Sequence, residues 1–325
     1  MPFARTLIDS AKACLSDELF LSLVHRRRIG RFPNLLNPVT FNEQMLRRCL
    51  EPDKRYVKLS DKLAVRDFVA DRIGPEHLIP LLAEPPNFTQ AVFDSLPSAF
   101  VMKANHGSGF VKVVRDKTRV SFEELSHLAK EWLSTDFYRV ARERHYREIE
   151  PRLFFEELLL DETGTVPPDL KFHVFNQRSG KPIIYILVIS DRFGVTPRGD
   201  VFDASWRVQD LTFGQYKKSP TPVPRPENLD QLLATATALS QDFDYVRVDL
   251  YALKDKIYFG ELTFTPGAGV LRMRPERADY EWGRLLDLTH KQSSDNRRSD
   301  GRARAWSNHE RVELSDGIAR RRRPH

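Results

Sequence analysis

Polar and apolar side chains alternate strictly along Tyr245-Val246-Arg247-Val248-Asp249-Leu250-Tyr251. Because successive side chains of a β-strand point to opposite faces of a sheet, this pattern predicts a strand. Arg247, Asp249 and Tyr251 then share one face of that strand. The run from Ile257 to Phe264 follows after a short polar connection and predicts an antiparallel partner strand.

The connection between these two strands decides which residues face each other. A hairpin loop of three residues, Lys254-Asp255-Lys256, places Asp249 directly opposite Glu261. Two like charges side by side are destabilising unless a cation lies between them, and Mg²⁺ takes such carboxylates together with substrate phosphates. Arg247 on the same face can counter phosphate charge, and Thr265 to Gly269 offers backbone N–H groups to an anion. Charged residues on a hairpin are also often only a solvated face, so the pair alone leaves metal binding open.

A glycine-rich segment upstream joins two more strand-like runs. The runs are Phe100 to Lys103 and Phe110 to Val114, and Ala104 to Gly109 connects them. Glycines let a backbone approach an anion and Lys103 supplies a point charge, which is typical of a phosphate-covering loop. The segment matches neither of the standard phosphate-loop patterns, and an ordinary hairpin turn explains its glycines equally well. His106 fits a hydrogen-bonding turn residue as well as a catalytic one.

The other periodic segments predict helices and strands around these two units. Thr40 to Glu43 is a capping box for a helix that runs through Leu50. Ser60 is predicted to cap a second helix, which Gly74-Pro75 ends. Residues 194–226 are rich in Gly and Pro with little periodicity, and they are predicted to form a long loop. Further strands are predicted at residues 79–82, 170–175 and 182–189, and further helices within residues 1–30, from residue 121 and from residue 226.

Composition bounds the classes of protein that this sequence can encode. With 325 residues, 41% of them hydrophobic, the chain can bury one large core or two modest ones. The only two cysteines, Cys14 and Cys49, give no disulfide framework and favour a reducing, cytoplasmic setting. The N-terminal apolar positions are interrupted before they reach the length of a signal-peptide core. No later segment approaches the ~20 apolar residues that a membrane helix needs.

The formal net charge of +6 lies mostly at one end of the chain. From Lys291 onward there are ten basic and five acidic residues, so the rest of the protein is nearly neutral. The charge therefore gives no reason to expect a nucleic-acid partner. Residues 291–325 lack apolar periodicity and are predicted to be a disordered tail that catalysis does not need, with a tether to anionic lipid as the alternative.

Taken in order, these segments resemble the ATP-grasp superfamily, and within it the TupA-like proteins of teichuronopeptide biosynthesis that occur in surface-polysaccharide clusters. The resemblance extends over residues 30–287. The stretches that carry it are Phe32-Pro33-Asn34, Thr40-Phe41-Asn42-Glu43, Asp61-Lys62 with Val65-Arg66, Phe100-Val101-Met102-Lys103 with Asn105-His106-Gly107-Ser108-Gly109, Asp169 with Lys171-Phe172, Arg247-Val248-Asp249-Leu250-Tyr251, and Phe259-Gly260-Glu261-Leu262-Thr263-Phe264.

The resemblance implies an α+β ATP-grasp fold, in which two α+β subdomains clasp ATP after a short, mainly helical N-terminal region. The implied segments are residues 1–75 for the helical region, 76–155 for the small subdomain with the glycine-rich loop, 156–290 for the large subdomain with the metal site, and 291–325 for the tail.

The resemblance also implies a site for ATP and Mg²⁺. It assigns ATP binding to Lys103, His106, Gly107, Ser108, Gly109, Glu156, Glu157, Leu158, Leu159 and Lys171. The two lysines contact the phosphates, the backbone of residues 156–159 meets the adenine, and Asp161 or Glu162 lies near the ribose. It assigns metal binding to Asp249, Glu261 and Thr263, and catalysis to Lys103, Lys171 and Arg247, with Arg247 steadying the transferred phosphoryl group. The superfamily usually has Asn where Thr263 stands, and a hydroxyl is a weaker neutral ligand.

The expected function is that of an ATP-dependent carboxylate-amine ligase that forms an acyl phosphate during surface or capsular polysaccharide or teichuronopeptide-type biosynthesis. Its substrate is expected to be a small molecule, a saccharide or an amino acid, with a peripheral contact to the membrane or to polysaccharide machinery as a further possibility. An ATP-grasp kinase or other phosphotransferase is the alternative. Intact Lys103, Asp249 and Glu261 argue against a non-catalytic scaffold, and no D-x-D motif supports a glycosyltransferase. The absence of GxSxG, HExxH and Cys-His patterns argues against the common hydrolases.

Overall fold

The structure is a computed structural model that describes residues 15–178, 180–190, 197–254 and 256–286. The first part of the predicted N-terminal helix, Cys14 and the predicted basic tail from Lys291 lie outside these ranges. Within them, a helical N-terminal region precedes two antiparallel sheets, so the predicted α+β class is confirmed. Among the described residues, no helix has the length and apolar character needed to cross a membrane.

Four helices make up the N-terminal region. They are α1 (Asp17–Ile29), α2 (Phe41–Leu50), α3 (Arg55–Ser60) and α4 (Val65–Ile73). The predicted capping box of α2 is confirmed, since the Thr40 hydroxyl accepts from the Glu43 N–H and the Glu43 carboxylate accepts from the Thr40 N–H. Ser60 is not the predicted cap of α4, because it is the last residue of α3. The Asp61 carboxylate accepts from two backbone N–H groups just before α4 instead.

The first sheet contains four strands in the order β1-β4-β2-β3. They are β1 (Leu81–Ala83), β2 (Phe100–Ala104), β3 (Val111–Val114) and β4 (Leu153–Glu156), with antiparallel neighbours throughout. The predicted strands beside the glycine-rich loop are thus confirmed as the β2-β3 hairpin. Helices α5 (Gln90–Ser95), α6 (Phe122–Ser134) and α7 (Phe137–Ala141) lie between these strands in the chain. The apolar stripe of α6 covers one face of the sheet, where Leu125 and Trp132 join Phe100 and Phe155 in one buried cluster.

The second sheet contains five strands in the order β10-β9-β5-β6-β7. They are β5 (Asp169–Phe175), β6 (Ile183–Ser190), β7 (Arg198–Asp203), β9 (Tyr245–Leu253) and β10 (Lys256–Thr263), again antiparallel. A small sheet pairs β8 (Thr212–Phe213) with β11 (Met273–Arg274). The remaining helices are α8 (Leu229–Ser240) and α9 (residues 277–286), and short 3₁₀ turns lie at Pro75–His77, Lys117–Arg119, Arg144–Glu148 and Pro266–Gly269.

The predicted long loop at residues 194–226 is wrong, because β7 and β8 lie inside it. Residues 200–202 of β7 are buried beside β6. The polar side chain of Asp200 accepts hydrogen bonds from the N–H and hydroxyl of Ser219. A Cβ at Gly199 would lie 2.9 Å from the Cβ of Tyr216, so glycine is needed where the returning chain packs closely. Tertiary contacts complete this strand, and local periodicity does not record them.

The pairing of Asp249 with Glu261 is confirmed, but its cause differs from the one predicted. Lys256 already pairs with Leu253, so the connection is shorter than three residues. A β-bulge at Gly260 then shifts the register and brings Glu261 opposite Asp249.

Strand β5 is buried on both faces, and the two faces have different covers. Helix α8 covers the face that carries Phe172 and Val174. On the opposite face, α2 and α9 pack over Phe175 at one end of the strand. Lys171 lies on that same face toward the other end, beyond these two helices. This end of the sheet borders the cavity described next.

Candidate active site

A cavity of about 690 Å³ lies where the two sheets meet. Strands β2, β3 and β4 of the first sheet and β5, β9 and β10 of the second contribute to its wall. The predicted site residues that line it are Lys103, Ser108, Gly109, Glu156, Glu157, Leu158, Leu159, Lys171, Asp249 and Glu261. Of the two predicted ribose contacts, Asp161 lines the cavity, whereas Glu162 forms an ion pair of 2.7 Å with Lys254. The other predicted site residues do not line the cavity; they are His106, Gly107, Arg247 and Thr263.

The side of the cavity formed by the second sheet is a network of alternating charges. Arg247 Nε lies 2.6 Å from Asp249 Oδ1, and a terminal nitrogen of Arg247 lies 2.6 Å from Glu261 Oε1. Lys171, directly beside Asp249 in the strand register, donates to Asp249 and lies 2.9 Å from Asp169. The guanidinium of Arg247 is therefore the cation between the two facing carboxylates, a role that the sequence argument gave to a metal.

These contacts shift the protonation of the charged groups. Burial alone would raise the pKa of Glu261, but the positive charges of Arg247, Lys62 and Lys171 hold that pKa well below its ordinary value. Burial alone would lower the pKa of Lys171, and the carboxylates of Asp249 and Asp169 raise it above its ordinary value. Glu261 and Lys171 thus stay charged at neutral pH, whereas burial raises the pKa of Asp249 in spite of the positive charges of Arg247 and Lys171.

The opposite side of the cavity is formed by the first sheet. Lys103 of β2 lies 2.5 Å from Glu156 at the end of β4. Arg66 of α4 lies 3.4 Å from the other oxygen of Glu156 and donates to the carbonyl of Ile79. The Glu156 carboxylate therefore positions Lys103, while the chain continues along the cavity as Glu157, Leu158 and Leu159.

The glycine-rich loop closes one end of the cavity with Ser108 and Gly109. Gly109 has a φ of 84°, a conformation that favours glycine. A Cβ at Gly107 would lie 2.7 Å from Phe110, so this glycine permits close packing behind the loop. The buried His106 donates from Nε2 to the carbonyl of Trp132 at 3.1 Å, and burial lowers its pKa. His106 thus ties the loop to α6 and does not face the cavity.

The donor set fits a magnesium ion that also binds phosphates. Asp249 and Glu261 are hard oxygen donors that line the cavity side by side, and Mg²⁺ is usually held by one or two carboxylates plus substrate oxygens. The side chain of Glu261 is 34% exposed, so it is open to a ligand in the cavity. The Thr263 hydroxyl donates to Glu261 Oε1 at 3.2 Å and is engaged there. Within the described ranges, no group of three or more His, Cys, Asp or Glu side chains forms a metal cluster.

The sequence interpretation missed Lys62 as a site residue. Lys62 lies between α3 and α4, lines the cavity, and donates from Nζ to the carbonyl of Gly107. The only sequence signal for Lys62 is the family resemblance, because Asp61-Lys62 is one of the stretches that carry it. Tyr251 also lines the cavity, and its place on the face of Asp249 follows from the alternation of β9.

Solved structures that are similar to this chain include two ligases and a synthetase. The D-alanine–D-alanine ligase from Bacillus anthracis has 17% identity, with 75% of this chain and 70% of that chain covered at a TM-score of 0.42. The L-amino acid ligase from Bacillus licheniformis has 14% identity, with 66% and 44% covered at a TM-score of 0.38. An N5-carboxyaminoimidazole ribonucleotide synthetase in its ADP complex has 12% identity, with 65% of this chain covered at a TM-score of 0.40. This chain spans 46% of the length of that synthetase.

No curated protein matches the sequence significantly. A family model described as TupA-like ATPgrasp matches residues 42–287. The match covers most of the chain, including both sheets and the cavity between them, and it confirms the ATP-grasp fold expected from the resemblance. This chain belongs to the TupA-like ATP-grasp family.

Proposed function

We propose that this protein is an ATP-dependent carboxylate-amine ligase. The observation that supports it is the convergence of Lys103, Lys171 and the Asp249-Glu261 pair on the lining of one cavity between the two sheets. Arg247 pairs with both of these carboxylates from outside the lining. Cations around a cavity of about 690 Å³ suit a bound polyphosphate, since they counter its charge at fixed positions. Membership of an ATP-grasp family is in accord with this use of the cavity.

The proposed reaction has two steps. A substrate carboxylate oxygen attacks the γ-phosphorus of ATP, which forms an acyl phosphate and releases ADP as the phosphorus-oxygen bond to ADP breaks. An amine then attacks the acyl carbon, phosphate leaves with the bonding electrons, and the amine nitrogen gives up a proton. The protein contributes chiefly positioning and electrostatic stabilisation in such phosphoryl transfers.

In this proposal Lys103 and Lys171 bind the phosphates, and Arg247 steadies the phosphoryl group in transfer. The backbone of residues 156–159 meets the adenine, and Asp161 lies nearer the ribose than Glu162 because it lines the cavity. Ser108 and Gly109 cover the phosphates from the loop.

Asp249 and Glu261 would hold Mg²⁺, with Thr263 as a neutral neighbour. When bound, the ion neutralises charge on the phosphate oxygens. Arg247 already bonds to both oxygens of Asp249 and to one oxygen of Glu261, so its guanidinium keeps the pair in register for the metal.

We propose a sugar acid or an amino acid as the carboxylate substrate, and a cytoplasmic role in surface-polysaccharide or teichuronopeptide-type biosynthesis. This part rests on the family resemblance. A peripheral contact with the membrane or with polysaccharide machinery would place the enzyme near its product.

The test is ADP release from ATP across a panel of uronic acids and amino acids, each offered with and without an amine. We expect release to require a carboxylate, and full turnover to require the amine as well. Glu261→Gln keeps the shape and removes the charge, so it should lower ADP release by roughly 100-fold. Asp210→Asn is the matched control, because Asp210 is exposed and lies outside the cavity.

ADP release with hydroxyl compounds alone would replace the ligase by the phosphotransferase alternative. Wild-type protein that binds neither ATP nor ADP, or full activity in Glu261→Gln, would contradict the proposed site.

A further inference from the structure

Exposed apolar side chains are concentrated in α1 and in the connection that leads from it to α2. Of the 12 large apolar side chains that are exposed among the described residues, five lie between residues 19 and 39. They are Leu19, Leu23, Phe32, Leu36 and Val39, and Leu36 is 88% exposed. Single exposed apolar residues are ordinary on a protein surface, whereas a group of them marks an interaction surface. This part of the fold is therefore a candidate for contact with a partner.

Helix α1 is apolar on both its inner and its outer side. On the inner side, Leu21 is buried in one cluster with Leu46 and Leu50 of α2. On the outer side, Leu19 and Leu23 are four residues apart in the sequence, so they lie one turn apart in the same stripe. Because the inner side already packs α1 onto the fold, folding does not account for the leucines on the outer side.

The turn that carries Leu36 is held in place at both ends. The side chain of Asn34 accepts from the Asn37 N–H at 3.0 Å, which closes the turn around Leu36. The Glu43 carboxylate accepts from the N–H groups of Asn34, at 3.1 Å, and of Val39, at 3.0 Å, one on each side of the turn. Leu36 is thus exposed on a fixed turn, which lowers the entropy cost of using it as a contact.

Three consecutive arginines, the run Arg26–Arg28, lie in the last turn of α1 beside these apolar residues. All three are exposed, and none has a carboxylate within ion-pair distance among the residues that the structure describes. The guanidinium of Arg26 lies 4.8 Å from the centre of the Phe32 ring, so the basic and the apolar groups form one surface. The two acidic residues of α1 pair with Arg144 at the other end of the helix. The arginines therefore lack a counter-charge.

An anionic lipid bilayer offers both kinds of contact that suit this surface. Its headgroups carry the negative charge that the arginines lack, and its interface accepts apolar side chains such as those of Leu23 and Leu36. The phosphates of a nucleic acid would match the arginines but would leave the leucines in water. The arginines and the exposed apolar groups together therefore favour a membrane.

We propose that an N-terminal docking surface, formed by Leu19, Leu23, the run Arg26–Arg28, Phe32 and Leu36, binds the surface of an anionic lipid bilayer. The arginines contact the headgroups, and Leu23 and Leu36 enter the interface between headgroups and acyl chains. The inference deepens the proposed function. It rests on that function for the expectation of a peripheral membrane contact, and it does not depend on the ligase reaction.

The test measures binding of the full chain to lipid vesicles by co-sedimentation, without nucleotide and at physiological ionic strength. One set of vesicles contains phosphatidylglycerol and phosphatidylcholine, and the other contains phosphatidylcholine alone. We expect the wild-type protein to bind the anionic vesicles at least about tenfold more tightly than the neutral ones.

Two pairs of substitutions separate the basic from the apolar contribution. Arg26→Gln with Arg27→Gln should weaken binding to the anionic vesicles at least about tenfold, and Lys at both positions should restore most of it. Leu23→Ser with Leu36→Ser should weaken it at least about fivefold, because less apolar surface enters the interface. The matched controls change exposed residues between β7 and α8 and should stay within about twofold; they are Arg207→Gln with Arg225→Gln, and Val208→Ser.

Wild-type protein that does not prefer the anionic vesicles overturns the inference. Binding that both surface variants leave within about twofold of wild type also overturns it, and would assign the contact to the basic segment 291–325. A changed oligomeric state of these variants in light scattering, with unchanged vesicle binding, would show that a second copy covers the surface and would overturn it as well. Vesicle binding as expected in a protein that releases no ADP would instead refute the proposed ligase alone, so the two failures are distinguishable.

Discussion

The guanidinium of Arg247 holds Asp249 and Glu261 together without any ligand. Its planar fork reaches both oxygens of Asp249, at 2.6 and 2.8 Å, and one oxygen of Glu261. Such charge-assisted, bidentate bonds are stronger and more directional than those of lysine. Asp249 and Glu261, which a bulge brings opposite each other, are thus stabilised by Arg247, two positions before Asp249 in β9.

Another carboxyl group, that of Glu143, is buried next to this network. Its side chain accepts a hydrogen bond from the Thr265 hydroxyl, and the charged groups that influence it are Glu261 and Arg247. Burial, more than any of these neighbours, raises the pKa of Glu143 to about 7. The folded protein therefore keeps this carboxyl protonated under conditions where the unfolded chain ionises it.

Glu143→Gln should remove a pH dependence of stability. Between about pH 4.5 and about pH 7 the folded state holds a proton that the unfolded state has lost, so wild-type stability falls as the pH rises. The loss is about 1.4 kcal/mol per pH unit and stops above about pH 7. Gln keeps an acceptor for Thr265 without ionising, so the variant should gain about 3–4 kcal/mol over wild type by about pH 8.

Urea unfolding without nucleotide, at several values from about pH 5 to about pH 8, measures this difference. Glu131→Gln, an exposed change on α6, should follow the wild-type curve in parallel. A Glu143→Gln curve that also runs parallel to wild type would show that Glu143 does not carry the raised pKa.

At the scale of elements, one carboxylate organises the approach to α2. Glu43 Oε1 accepts from Arg31 at 3.2 Å and from the Asn34 N–H at 3.1 Å. Its Oε2 accepts from the N–H groups of Val39 and Thr40, both at 3.0 Å. The capping box is therefore also the anchor of the chain between α1 and α2.

Glu43→Gln should destabilise the fold by about 1–3 kcal/mol, because the amide NH₂ faces N–H donors that had a carboxylate oxygen as their acceptor. Glu51→Gln at the end of the same helix is the control. Glu51 is 71% exposed and pairs with Arg47 only at 3.5 Å, so its change should stay within about 0.5 kcal/mol. Free energies of unfolding from urea titration compare the two, and similar losses would refute the anchoring role.

Elements that depend on local sequence were predictable, and those that depend on distant contacts were not. The capping box of α2 and the alternation of β9 are local patterns, so both were confirmed. Strand β7 needs β6 and the segment around Ser219, and the bulge at Gly260 depends on how two strands fit together. Neither leaves a periodic trace in the sequence.

The residues of the candidate site also fall into those that could be predicted from the sequence and those that could not. Lys103, Lys171, Asp249 and Glu261 stand on strands that the sequence or the resemblance identified, and the structure brings all four to one cavity. Lys62 was not assigned because a turn between helices gives no pattern that points to a distant loop. The assignments of ATP and metal ligands remain predictions for the proposed experiments.

At the scale of the whole molecule, the N-terminal helical region packs against α9. Asp279 Oδ2 lies 3.3 Å from Arg31, and its Oδ1 accepts from the Asn42 N–H at 2.9 Å. A Cβ at Gly283 would lie 2.1 Å from the carbonyl oxygen of Val39, so the two segments touch backbone to backbone. The helical region is thus packed into the body that carries the site.

This packing predicts where the chain can be shortened. Truncation after His290 removes the basic segment 291–325, whose composition offers little apolar surface to bury, so ATP turnover and melting temperature should stay unchanged. Truncation after residue 276 removes α9 with Trp282 and Leu286, which are buried against the second sheet. Loss of a buried Trp alone costs about 3–5 kcal/mol, a large part of the stability of a typical domain, so this shorter chain should not fold.

Circular dichroism melting and ADP release separate these outcomes. We expect the chain that ends at His290 to turn over ATP and the chain that ends at residue 276 to be unfolded. These two results together would place the end of the folded body within the 14 residues between the two truncation points. Binding to anionic vesicles, compared with and without residues 291–325, tests the alternative that the basic segment is a tether, since about 1 kcal/mol is gained per basic residue near such a surface. If the chain that ends at His290 instead unfolds or loses nucleotide binding, residues 291–325 contribute to the folded body. The predicted boundary at residue 290 would then be wrong, because contacts made by those residues would be needed to hold α9 against β5 and α2.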